Sequence, residues 1–178
     1  MSKKLIELFF SYAHEDEELR DELAKHLMLL QRQQVISTWH DREISAGNEW
    51  KQEIEKRLNS ADVILLLISA DFLASDFCWG VELERALERH EAGEARVIPI
   101  ILREVDWLGA SFGKLQALPK NAKPVNNWEN CDMALSDIAR GIRRAVEDLT
   151  HIPHPQLSHG LRVLKASAKS RQLLSKNT

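Results

Sequence analysis

Cysteine and long apolar runs are scarce in this chain, and each shortage removes a class of protein. Two cysteines, Cys78 and Cys131, cannot build a zinc cluster or a disulfide framework. The longest unbroken apolar run, Val63 to Ile68, is far too short to cross a bilayer. Lys3 and Lys4 are not followed by an apolar stretch ending at a small-residue cleavage site, so no secretory signal is read. The expected compartment is the cytoplasm, with no membrane partner.

Phosphate-cradling glycine motifs are missing as well. No Gly-x-Gly-x-x-Gly follows the first apolar segment and no Gly-Lys-Ser/Thr occurs, which removes the dinucleotide cradle and the Walker loop. There is no Gly-x-Ser-x-Gly elbow for a serine nucleophile. A phosphoryl-accepting receiver needs acids where Ser11-Tyr12 and Ser69-Ala70 stand. His151, His154 and His159 cluster beside Pro153 and Pro155, too loosely to specify a metal site, so no metal is expected.

What is present is an acidic body of ordinary globular composition, with 178 residues, 44% hydrophobic and 29% charged. Of 24 basic and 27 acidic residues, five basic and no acidic ones lie from residue 151 on. Residues 1–150 therefore hold 19 against 27, a balance of −8. That sign disfavours nucleic acid as a partner, since phosphate binding needs clustered Lys and Arg. The chain divides into a domain over 1–150 and a basic extension over 151–178, a helix or a linker. Leu157, Leu161, Leu164 and Ala168 share one helical face there, suited to docking on its own domain, mediating assembly or connecting to a further domain or partner.

Element types alternate along the body. Leu5–Phe10, Gln34–Trp39, Val63–Ile68 and Val97–Leu102 read as strands, and Val63–Ile68, apolar at every position, reads as the buried centre of a parallel sheet. Lys123–Val125 reads as a brief edge strand. Helical spacing predicts Asp16–Gln33, Glu49–Asn59, Phe72–Glu91 with a cap at Ser75 or Asp76, and Asp132–Leu149. Five strand–helix units specify an α/β fold, a parallel sheet with helices on both faces. Sites in such sheets lie beyond the carboxyl ends of the strands, here Ser11-Tyr12, the loop from His40 and the segment after Ile68.

Three segments, in order, resemble the Toll/interleukin-1 receptor (TIR) domain family over roughly residues 4–149. Glu7-Leu8-Phe9-Phe10-Ser11-Tyr12 is similar to its opening strand. Trp39 to Trp50, through His40-Asp41-Arg42-Glu43-Ile44-Ser45-Ala46-Gly47-Asn48-Glu49, is similar to its BB loop. Ser69 to Leu83, containing Phe77-Cys78-Trp79-Gly80-Val81-Glu82, is similar to its third-strand exit and following helix. The flavour is closer to bacterial members than to animal receptor tails. The resemblance implies a flavodoxin-like five-stranded sheet of order 2-1-3-4-5. It offers two functions: adaptors that signal by homotypic association, and enzymes that cleave NAD⁺ at the nicotinamide–ribose bond, giving nicotinamide and ADP-ribose or a cyclic product. NAD⁺ is then a substrate rather than a cofactor, in bacterial immune or cell-death signalling, with self-association through TIR–TIR contacts that include the BB loop.

Carried over onto this chain, the family's catalytic glutamate falls on Glu82. A carboxylate there can hold the ribose hydroxyls and offset the positive charge that develops as nicotinamide leaves. Periodicity alone makes Glu82 one more solvated helix glutamate beside Glu84, Glu88 and Glu91, with Glu84 the rival in register. Many NAD⁺-cleaving members carry tryptophan four positions before the glutamate, where Cys78 stands. Trp79 either stacks on nicotinamide in its place or is core, with another aromatic as platform. Ser11 and Tyr12 are placed to bond ribose or pyrophosphate, and Phe10 lines the cavity or the core. Asp41 and Arg42 open the BB loop, where Arg42 is either a pyrophosphate contact or an exposed charge. Trp39 and Trp50 read as packing residues that hold the loop's ends.

Overall fold

In a computed structural model, which describes residues 4–39, 47 and 49–151, the sheet forms around the segment with no polar residue. β3 (Val63–Ile68) is buried at all six positions, as a strand covered on both faces must be. β1 (Ile6–Ser11) and β4 (Arg96–Ile101) pair with it in parallel, and β2 (Ile36–Trp39) lies outside β1, giving the order β2-β1-β3-β4. Phe9 stands opposite both Ile64 and Trp39, and Leu66 stands opposite Pro99. Pro99 is tolerated because its nitrogen shares an edge with its carbonyl, away from β3.

The first four positions of the expected sheet order are present; the fifth strand is not, among the described residues. Its place beside β4 is taken by Leu118 alone, whose N–H donates to the Pro99 carbonyl at 2.9 Å and whose carbonyl accepts from Ile101 at 2.8 Å. Lys123–Val125 is not a strand. Asn121 and Ala122 have φ of +60° and +53°, and 3₁₀ turns at Lys120–Ala122 and Val125–Asn127 curl the chain away from an extended path. Four strands therefore stand where five were expected.

Helices cover both faces. Phe9, Ile64, Leu66, Ile68 and Val97 pack with Ile54 and Leu58 of α3 (Trp50–Ser60) and with Leu83 and Ala86 of α5 (Leu83–Glu91). The pleat sends Leu8, Phe10, Leu65 and Leu67 the other way. There α1 (Glu17–His26), α2 (Met28–Arg32) and α6 (Cys131–His151) bury Leu23, Leu30, Leu135, Ile138 and Ile142. A Cβ at Gly141 would lie 2.6 Å from the Leu118 side chain, so glycine is what lets α6 approach that bridge.

Two long predicted helices are each divided. Asp16–Gln33 becomes a 3₁₀ turn at His14–Asp16, then α1 and α2 with Leu27 between them. Phe72–Glu91 becomes α4 (Ala70–Ala74), a π turn at Cys78–Glu82, and α5. Ser75, one of the two expected caps, does cap a helical start, but an earlier start precedes it. Ser69 Oγ accepts from Phe72 N at 3.1 Å and starts the helix earlier, while Ser75 caps the second start through Cys78 N at 3.3 Å. Gly93, with φ of +73°, closes α5.

Residues up to Val146 form one compact unit; the next begins at Glu147, whose carbonyl accepts from the Thr150 hydroxyl at 3.0 Å. The basic extension beyond His151 lies outside the described residues, and with it the apolar stripe and His154 and His159. No helix among the described residues is long and apolar enough to cross a membrane.

Candidate active site

The four strands run parallel, so their carboxyl ends meet on one side, where β1 delivers Tyr12 and His14, α3 begins with Trp50, and the divided helix after β3 brings in Glu82. Ala13 is extended (φ −75°, ψ 145°), which carries the chain off the sheet before the 3₁₀ turn. The π turn does the rest. Gly80 inside it is non-helical (φ −81°, ψ −123°), so the residues before and after are not held on one continuous helical face. Single π turns of this kind recur at functional sites.

Glu82 is buried, at 6% exposure, whereas Glu84, Glu88 and Glu91 are exposed. It is not the solvated helix glutamate that periodicity alone describes. It lies in the wall between two cavities that share Ile54, Phe77 and Glu82. The smaller, of about 170 Å³, sits at the end of β1 and is lined by Phe10, Tyr12, His14, Trp50 and Cys78 besides the shared wall. The larger, of about 350 Å³, lies between α3 and α5. The Trp50 and Phe77 rings pack at 4.6 Å between centroids, tilted by 39°.

Two further contacts set the small cavity's shape. The Cys78 thiol donates to the Tyr12 carbonyl at 3.3 Å, tying the π turn to the end of β1. The Arg20 guanidinium sits 5.1 Å from the centre of the Tyr12 ring, within cation–π range. Arg20 is itself buried and paired with Asp21 at 2.7 Å.

The structure brings Phe10, Tyr12 and Glu82 together around the smaller cavity. Ser11 is buried but lines neither cavity. Trp79 also lines neither. It is 44% exposed and stands edge-on to Phe112 at 6.3 Å, with Trp107 also stacked on Phe112 at 6.4 Å. Asp41 and Arg42 lie outside the described residues. Trp39 is a packing residue, buried and stacked on Phe9 at 5.6 Å; Trp50 lines the cavity instead. His14, Phe77 and Cys78 are lining residues that sequence reasoning missed. The spacing of Trp50 four residues before Ile54 was the available signal for Trp50, since both then share a helix face.

Beyond β3 and β4 the same sheet end is closed by ions. Asp16, buried at 3% exposure, accepts from the Ser69 hydroxyl and from Arg103 Nε at 3.1 Å, and Arg103 also binds Asp71. The hydrogen bond to Asp71 and the charge of Asp16 hold the Arg103 guanidinium above its ordinary basicity. The site is thus a carboxylate beside an aromatic-walled cavity, able to hold a flat ring and to offset positive charge developing next to it.

A family model described as "TIR domain" matches residues 8–133. The protein y4lF of Sinorhizobium fredii, described as uncharacterized, is 52% identical over 143 residues, covering 80% of this chain and 44% of that protein. The chain therefore spans less than half the length of that relative. Among solved structures, the TIR domain of the Toll-related receptor TRR-2 from Hydra magnipapillata superposes with a TM-score of 0.55 at 21% identity, covering 79% of this chain and 97% of that one. The TIR domains of the activated Roq1 resistosome give a TM-score of 0.44 at 21% identity, covering 83% and 84%. With the sheet order, the ordered motifs and a family match across most of its length, this chain belongs to the TIR domain family.

Proposed function

We propose that this TIR domain is an NAD⁺ glycohydrolase with Glu82 as its catalytic residue. The observation that carries this reading is the buried Glu82 carboxylate in the wall of an aromatic-lined cavity at the carboxyl end of β1. Nicotinamide in NAD⁺ is a flat cation, suited to the ring faces of Trp50, Phe77 and Tyr12. As the C1′–N1 bond breaks, its electron pair neutralises the pyridine nitrogen and positive charge passes to the ribose. Glu82 offsets that charge and accepts from the ribose hydroxyls. The base departs neutral, so one carboxylate suffices and no general acid is required. Water or an adenine nitrogen then closes on C1′, giving ADP-ribose or a cyclic product. Self-association through TIR–TIR contacts, BB loop included, activates the enzyme in bacterial immune or cell-death signalling.

NAD⁺ consumption by wild type beside Glu82→Ala, with products resolved by mass, tests this reading. Loss of turnover in a folded Glu82→Ala protein supports it, and the hydrolysed product is heavier than the cyclic one by one water. Turnover rising faster than linearly with protein concentration supports activation by assembly. One observation favours a second reading, a non-catalytic module that signals by homotypic association: Trp79, Val81 and Leu108 present apolar surface to solvent. NAD⁺ left intact at concentrations where the chain associates selects that reading.

A further inference from the structure

The two cavities that meet at Glu82 differ in size and in chemistry. The smaller falls below the volumes of about 300–1,000 Å³ usual for small-molecule sites, so its roughly 170 Å³ holds a ring and part of a sugar. The larger, of about 350 Å³, shares the Phe77 wall with it. Its floor is apolar, formed by Ile54, Leu58, Phe77 and Val81. Its charged lining is three carboxylates (Glu55, Asp76, Glu82) against Lys51 and Arg85. Arg85 is already engaged by Asn59 Oδ1 at 2.7 Å and by Glu88 at 3.1 Å. A chamber of that kind repels a pyrophosphate and accepts a small neutral aromatic ring.

We propose that the α3–α5 chamber receives the neutral base released at Glu82. This rests on the glycohydrolase reading and extends it. While the ribose end of ADP-ribose occupies the smaller cavity, the rest of that product obstructs the way back, and the base passes the Phe77 ring into the larger one. Cleavage turns a pyridinium into a neutral amide, so the product prefers the apolar chamber and the substrate does not. The base held there is placed to inhibit from the far side of Glu82.

Methyl-resolved NMR with nicotinamide alone, and product inhibition of NAD⁺ turnover, test the assignment. Leu58 and Val81 line only the larger cavity and Ala13 only the smaller. Nicotinamide is expected to shift the Leu58 and Val81 methyls. Val81 is 68% exposed at the rim, so Val81→Trp can fill the mouth without disturbing the core, and Glu55→Trp does so from α3. Each should weaken inhibition by nicotinamide about tenfold, the equivalent of about 1.4 kcal/mol, with KM for NAD⁺ unchanged. Shifts confined to Ala13, or inhibition indifferent to both substitutions in an active enzyme, overturn the chamber. A wild type that leaves NAD⁺ intact at every concentration overturns the glycohydrolase reading itself, a different result from an active enzyme whose inhibition ignores both tryptophans.

Discussion

Two buried carboxylates stand at the same end of the sheet and are used in opposite ways. Asp16 is enclosed by the Ser69 hydroxyl and the Arg103 guanidinium, which also binds Asp71. Glu82 forms the wall of two cavities. Both carboxylates are costly to bury. The Asp16 network offsets that cost with charge-assisted hydrogen bonds and ties β3, β4 and the start of α1 together. Glu82 borders open volume in which another molecule can meet it. Burial alone does not mark a functional acid; burial beside a cavity does.

Substituting each carboxylate's region in turn is the sharpest way to break that contrast. The largest effect belongs to Glu82→Ala, which is expected to lower NAD⁺ cleavage by about a hundredfold or more, roughly 3 kcal/mol of transition-state stabilisation. Its melting temperature should stay near that of wild type. Next is Arg103→Ala, which strands the buried Asp16 and should cost about 3 kcal/mol of folding stability in denaturant titrations. Turnover per folded molecule should change little. If Arg103→Ala abolished turnover at full stability, the network would belong to the site and the contrast would fail.

Phe77→Ala comes third and blurs the two roles on purpose. It removes the shared wall between the cavities and the ring contact with Trp50. Loss of a half-buried aromatic ring is expected to cost about 2 kcal/mol in stability and roughly tenfold in turnover, or about 1.4 kcal/mol. Trp79→Ala is the smaller counterpart. Trp79 lines neither cavity, so KM for NAD⁺ should hold, while any steep dependence of activity on protein concentration should flatten if its exposed face serves association.

Sequence reasoning reached the sheet more surely than the site. Val63–Ile68 was legible to the residue because six apolar side chains in a row leave no other face to choose. The fifth strand was misread because Pro124 and Val125 look like an edge, while the decisive feature, the left-handed backbone at Asn121 and Ala122, has no strong signature in a Lys-Asn-Ala-Lys run. The helix after β3 looked continuous because Phe72, Cys78, Leu83 and Ala86 are all buried, and apolar periodicity cannot see a break that leaves the buried face apolar. That break separates Trp79 from Glu82: the tryptophan faces Phe112, and the aromatic walls come from Trp50 and Phe77. Glu82 itself was marked by motif resemblance, since by spacing it is one helix glutamate among several.

The smallest predicted effect separates folding from chemistry in any pH profile. His90 on α5 accepts a hydrogen bond at Nδ1 from Val97 N at 3.0 Å, a role open only to the neutral ring. Burial first, then the Arg96 charge and, least of all, the Lys114 charge lower its pKa below the ordinary 6.5, against an opposing pull from Glu91. Below pH 6.5 the unfolded chain therefore binds more protons than the native one. The contribution is complete above 6.5 and declines as pH falls from there through the lowered native value. His90→Gln, which keeps an acceptor and removes the titration, should flatten the dependence of melting temperature on pH in that window. A stability slope that persists unchanged in His90→Gln would assign it to other groups. A turnover decline that survives the substitution would then report on the Glu82 cavity rather than on unfolding.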